Sequence, residues 1–179
     1  MSAAPRAARI AGAVAAAVWL GPAAPVRINW TGSAPLGLYL VDRPASFTRG
    51  DLVAVCLGGF LATIGHARGY LPTGRCPSHT TPVLKEVLAV AADEIELQRS
   101  FVAVNGRVVD RSARPAMDRA GRPLQRIPFG HHVVAAGHVW LLGIRPARSW
   151  DSRYYGPVPT SDVIARARPL FTWSGAEPR

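Results

Sequence analysis

A chain of 179 residues with 49% hydrophobic residues and a formal net charge of +10 is long enough for one domain with a real core. Its charge suits acidic partners, either nucleic acid or an anionic membrane surface. The basic residues are spread along the chain instead of forming one block, which weighs against nucleic acid, and the sequence carries no zinc-finger spacing, RNA-binding signature or heptad repeat.

Arg6 and Arg9 precede an apolar stretch, Ile10 to Val26, and no acidic residue occurs before Asp42. About 17 apolar residues is the lower limit for a membrane-spanning helix. The basic flank favours export over a buried Ala-rich helix. A cleaved secretory signal, with small-residue sites near Pro22 to Pro25, competes with an uncleaved anchor that keeps the arginines inside. We take the anchor. The expected organisation is a cytoplasmic N-terminus at 1–9, a signal anchor at 10–26 and an exported domain at 27–179.

Beyond the anchor the pattern is mostly short strands: Gly37 to Val41, Asp51 to Cys56, Pro82 to Ala92, Val139 to Leu142, and a last one from Asp162 to Arg168 leading to Leu170–Trp173. Ser100 to Val104 and Arg107 to Val109 flank Asn105-Gly106, which predicts a hairpin. Leu57 to Thr81 is rich in Gly, Pro and Thr and reads as irregular. Ser112 to Pro128 reads as a polar surface excursion. Little helical periodicity and frequent Gly and Pro imply a mainly β domain. Cys56 and Cys76 are the only cysteines. In an exported domain such a pair reads most simply as a disulfide. Closing a loop of about 20 residues contributes roughly 3 kcal/mol on the chain-entropy estimate.

Twenty of the 21 basic residues are arginines, and the one lysine is Lys85, inside the apolar run Pro82-Val-Leu-Lys-Glu-Val-Leu. Lysine can lose its proton near neutral pH when buried, and arginine cannot. On a strand, Val83, Lys85, Val87 and Ala89 share one face, where burial would disfavour the ammonium form. The alternative is an edge-strand lysine with its head in water. A lysine base needs a nucleophile, and Ser33 in Asn29-Trp-Thr-Gly-Ser-Ala-Pro-Leu-Gly sits on a Gly/Pro turn that would expose its hydroxyl. The Ser33 N–H and the Thr31 hydroxyl are candidate oxyanion donors.

Ser33-Ala-Pro-Leu-Gly-Leu-Tyr39 resembles the nucleophile box of the TraF-type conjugative-transfer peptidases, relatives of signal peptidase I. Gly50–Cys56, Arg68–Pro77, Pro82–Val87 and Asp151–Val158 resemble their later segments, in family order. The resemblance implies a mainly β, signal-peptidase-like fold with one N-terminal membrane helix and a Ser/Lys dyad of Ser33 and Lys85. It implies an Asp151–Arg153 ion pair beside the dyad, with Asp151 assisting function, and a Cys56–Cys76 disulfide. It further implies a serine endopeptidase of the bacterial inner membrane, acting on the periplasmic side on membrane-anchored, pilin-like precursors by hydrolysis or cyclisation. No cofactor, metal or nucleic-acid partner is expected. Where the family has a Pro-Gly-Asp turn after the lysine box, this chain has Val90-Ala-Ala-Asp93.

Two rival readings remain. A Ser/His/Asp hydrolase would draw on His66, His79, His131, His132 or His138, but none sits in a Gly-x-Ser-x-Gly frame. The spacing of the last three also matches no standard metal site. Ser152 reads as structural. The non-enzymatic alternative is an inactive, membrane-anchored component of a conjugation or secretion apparatus.

Overall fold

The computed structural model describes residues 25–29, 34–43, 46–124, 127–146 and 149–173. Its elements are β1 (Val26–Asn29), β2 (Leu36–Asp42), β3 (Leu52–Val55), α1 (Gly59–Ala67), β4 (Val83–Ala89), β5 (Glu94–Leu97), β6 (Val102–Val104), β7 (Arg107–Val109), β8 (Gly130–Val133), β9 (His138–Leu142), α2 (Ser152–Tyr155), β10 (Val158–Pro159) and β11 (Val163–Trp173). The strands form a seven-stranded sheet in the order β1-β2-β11-β3-β4-β9-β10 and a four-stranded sheet in the order β7-β6-β5-β8. The expected mainly β architecture holds.

The core follows from strand alternation. On β9, Val139 and Leu141 enter one apolar cluster with Val53, Val55, Val83 and Val87. Trp140 and Leu142 point the other way, into a second cluster with Ile95, Leu97, Val102 and Val104. Strand β9 is therefore buried on both faces and joins the two sheets. A register shift between Val87 and Ala89 where β4 pairs with β9 turns the end of β4, so that Leu88 and Ala89 feed the second cluster. At the other end of the large sheet, Ile28 pairs with Leu38, Leu38 with Phe171, and Leu36 with Trp173. These residues make an apolar face on which Ile28, Phe171 and Trp173 stay exposed.

The Asn105-Gly106 hairpin forms as expected: both residues have positive φ, 49° and 75°, joining β6 to β7. Other expectations need correction. The stretch Leu57 to Thr81 contains helix α1, which has no side-chain cap and no acidic residue in its first turn, so the usual start signals are missing. Gly65 lets that helix pack closely, since a Cβ there would lie 2.5 Å from Leu71 Cδ1. The strand expected over Pro82 to Ala92 ends at Ala89. Val90 to Asp93 is a turn in which the Asp93 N–H donates to Val90 O (3.0 Å) and the Val90 N–H to Asp93 Oδ2 (2.9 Å). Ala92 adopts φ 72° there, a conformation that favours glycine. The two apolar runs at the C-terminal end form one continuous strand, β11.

The expected anchor lies outside the described residues except at its end, where Val26 opens β1. No described helix is long and apolar enough to cross a membrane.

Candidate active site

Strand β4 carries Lys85 between Val83 and Val87 on its buried face, paired with Val53 of β3. The lysine is 3% exposed, so the edge-strand alternative does not apply. Its Nζ donates to Ser149 Oγ at 2.7 Å. Burial pulls its pKa down from 10.5 to about 8. The Arg153 guanidinium adds to the depression and the Asp151 carboxylate opposes it. A neutral amine is therefore accessible near physiological pH, as proton abstraction requires.

Ser149 was not singled out from the sequence. It reaches Lys85 because the segment after β9 folds back on itself at Gly143, where a Cβ would run into the Ser149 side chain. Behind it lies the fully buried pair Asp151 and Arg153. Arg153 Nε donates to Asp151 Oδ1 at 2.8 Å, and a terminal nitrogen donates to Oδ2 at 2.9 Å. Gly143 N–H also donates to Oδ2, at 3.0 Å. The guanidinium holds the carbonyls of Ala113 (2.6 Å), Pro146 (2.5 Å) and Ser149 (3.2 Å) as well. A permanently charged, five-donor fork suits this role. Asp151 thus stands one layer behind the lysine, aligning Arg153 and the backbone that presents Ser149. Its proximity to Ser149, two residues earlier in Ser149-Trp-Asp-Ser-Arg153, is the sequence signal that could have revealed the serine. Ser152 Oγ accepts from Leu141 N–H at 2.9 Å in the core, a structural role as expected.

Lys85 and Ser149 line a cleft of about 460 Å3. Its far wall is the segment that the sequence assigned to a surface excursion. Tyr70 OH (2.5 Å) and Arg122 Nε (2.7 Å) both donate to Asp118 Oδ2. Arg68 donates to Pro123 O at 2.7 Å. The Tyr70 hydrogen bond, then those from Arg122 and Ala120, hold the Asp118 carboxyl well below the usual carboxylate range, so this wall stays pinned across ordinary pH. Trp150 packs against Tyr70 and Tyr155, with ring centroids at 5.3 and 4.9 Å.

Cys56 and Cys76 form a disulfide that closes the segment carrying α1 and part of the cleft wall. Ser33 and Thr31 lie outside the described residues. Among the described residues no histidine lines the cleft. Among the described residues no cluster of histidine, cysteine or carboxylate side chains could hold a metal ion.

A buried lysine with a lowered pKa, lining a cleft in a mainly β fold, fits a candidate hydrolase of the lysine-base type. The signal peptidase, peptidase S26 family matches residues 4–173, and the chain belongs to that family. It is 38% identical over 162 residues to a probable conjugal transfer protein TraF of Sinorhizobium fredii, covering 88% of this chain and 81% of that one. It is 40% identical over 152 residues to the conjugal transfer protein TraF of Agrobacterium fabrum, covering 82% of each. A signal peptidase I of Enterococcus faecalis aligns with 66% of this chain and 93% of its own, at 18% identity and a TM-score of 0.37, too slight a likeness to add weight. Membership in the family supports a serine peptidase.

Proposed function

We propose that the chain is a membrane-bound serine endopeptidase of conjugal transfer, with Ser33 as nucleophile and Lys85 as general base. The observation that carries this reading is the burial of Lys85, which brings its pKa to about 8 beside a cleft. Neutral Lys85 Nζ accepts the Ser33 hydroxyl proton as Ser33 Oγ bonds to the scissile carbonyl carbon. The Ser33 N–H and Thr31 hydroxyl stabilise the oxyanion. The lysine then passes that proton to the departing amine as the C–N bond breaks, leaving an ester on Ser33. Water releases a linear product, or an amine of the substrate attacks the ester and gives a cyclic one. Asp151 and Arg153 support the loop that carries Ser149.

The membrane placement rests on the basic-flanked apolar segment 10–26, with residues 1–9 inside and 27–179 outside. Ser33 falls only about seven residues past that segment, which suits a pilin-like precursor held in the same membrane. The exposed apolar face of Ile28, Phe171 and Trp173 fits this placement, because polar solvent disfavours such a patch.

The test is Lys85→Met and, separately, Ser33→Ala in a cell carrying the pilin-like precursor, with precursor mass as the readout. Both variants should accumulate in the membrane and leave the precursor unprocessed. Normal processing by either would sink the dyad. Processing that is absent already with the unaltered chain favours the inactive structural component.

A further inference from the structure

Resting on Ser33 as the nucleophile, we infer that Asn29 and Tyr39 are positioning residues which together clamp the Pro35 carbonyl and fix the stem that presents Ser33. Asn29 lies opposite Gly37 where β1 pairs with β2, and Tyr39 is two residues further along β2. All three therefore share one face of the ribbon. Asn29 Nδ2 donates to Pro35 O at 3.0 Å and to Ala34 O at 3.3 Å. Tyr39 OH donates to the same Pro35 oxygen at 2.7 Å. These carbonyls belong to the first two residues after Ser33.

One donor would suffice to keep a buried carbonyl from being orphaned. Here two buried side chains from different strands converge on one oxygen: Asn29 is 6% exposed and Tyr39 1%. Ala34, directly after Ser33, is fully buried. Gly37 adds a further restraint, because a Cβ there would run into the Phe171 carbonyl, so the start of β2 is pressed against β11. Burial raises the Tyr39 pKa, partly offset by Arg145, and the phenol remains a donor. A nucleophile displaced by about 1 Å can lose on the order of a hundredfold in rate, which is the reason to over-determine the stem.

The experiment uses the full chain in detergent with a peptidyl p-nitrophenyl ester, whose nitrophenolate burst reports acylation. Tyr39→Phe keeps the ring and removes one clamp; Asn29→Leu removes the other at similar volume. Each should lower the acylation rate constant by roughly 10- to 100-fold, with KM within about twofold and the pH midpoint of the rate still set by Lys85. An unchanged acylation rate in folded Tyr39→Phe, with only a lower melting temperature, overturns the clamp and leaves a purely structural role. A shifted pH midpoint also overturns it, because the residue would then act through Lys85. Ser33→Ala serves as the control. A burst that persists in it refutes Ser33 itself, whereas a lost burst together with an unaffected Tyr39→Phe refutes only the clamp.

Discussion

Replacing Lys85 with methionine should make the protein inactive and, at neutral pH, more stable. The depression of its pKa from 10.5 to about 8 corresponds to about 3 kcal/mol, at about 1.4 kcal/mol per pH unit. The sign follows from proton binding. Below pH 8 the unfolded chain holds the lysine proton more tightly than the folded protein does, so the full penalty falls on the folded state. Between pH 8 and 10.5 the penalty fades, and above 10.5 both states are neutral and it is gone. Methionine has similar length and no charge, but it leaves the buried Ser149 hydroxyl without its lysine partner, at a cost of about 1 kcal/mol. Lys85→Met should therefore gain about 2 kcal/mol at pH 7 and lose about 1 kcal/mol above pH 10.5. Urea unfolding of the detergent-solubilised protein at pH 6 to 11, compared between the two forms, measures this crossover. In parallel, the wild-type rate should rise nearly tenfold between pH 6 and 7 and level off above pH 8, as the neutral amine accumulates. A stability difference that does not change with pH, or a Lys85→Met protein less stable at pH 7, would refute desolvation as the cause of the shift.

Ser149→Ala, measured with the ester substrate, should lower the rate constant by roughly 10- to 100-fold, because the amine loses the hydrogen-bond partner it has among the described residues and its aim becomes looser. Ala92→Gly should stabilise the protein by about 0.5 to 1 kcal/mol in urea unfolding, relieving a left-handed alanine at φ 72°; a loss of stability would mean that the turn relaxes at no strain. Arg153→Met strands the Asp151 carboxylate in the core and should cost about 3 to 5 kcal/mol, read as a lower urea midpoint. The double variant Asp151→Leu/Arg153→Met should recover part of that loss if the single variant's defect is an uncompensated charge.

Much of this was legible in residue patterns, and what was not has physical reasons. Two features of β4 could be read from alternation alone: the burial of Lys85 and its place beside two valines. The Asn-Gly hairpin could be read because two positive φ values in a row admit few residue types. Helix α1 was hidden because it lacks a cap and carries glycines at Gly59 and Gly65, one of which serves packing against Leu71. Ser149 was hidden because it meets Lys85 across 64 residues of sequence, through a loop whose shape depends on Gly143 and on the carbonyls gathered by Arg153. The same non-local bonding turned Ser112 to Pro128 into a cleft wall: its polar composition suggested solvent, but Tyr70 and Arg68, from the segment after α1, consume those polar groups. The Val90–Asp93 turn lacks its glycine signal, yet Asp93 closes it by bonding the Val90 N–H with its side chain.

The distribution of buried cations accounts for a chain that uses arginine everywhere but one position. Among the described residues three basic side chains are buried: Lys85, Arg114 and Arg153. Each arginine sits where a permanent charge is matched. Arg153 faces Asp151 and several carbonyls. Arg114 donates to Ile127 O and Arg153 O, both at 2.9 Å, and lies over the Phe129 ring. Among the described residues Lys85 has one neutral hydroxyl partner and two valine neighbours, and the Asp151 carboxylate, already paired with Arg153, offsets only part of the cost of burying a charge there. A guanidinium there would add a penalty that no deprotonation could relieve, whereas an ammonium escapes it by releasing its proton. Desolvation at that one position therefore both disfavours arginine and makes the free amine accessible, which is what the proposed Ser33–Lys85 dyad would use.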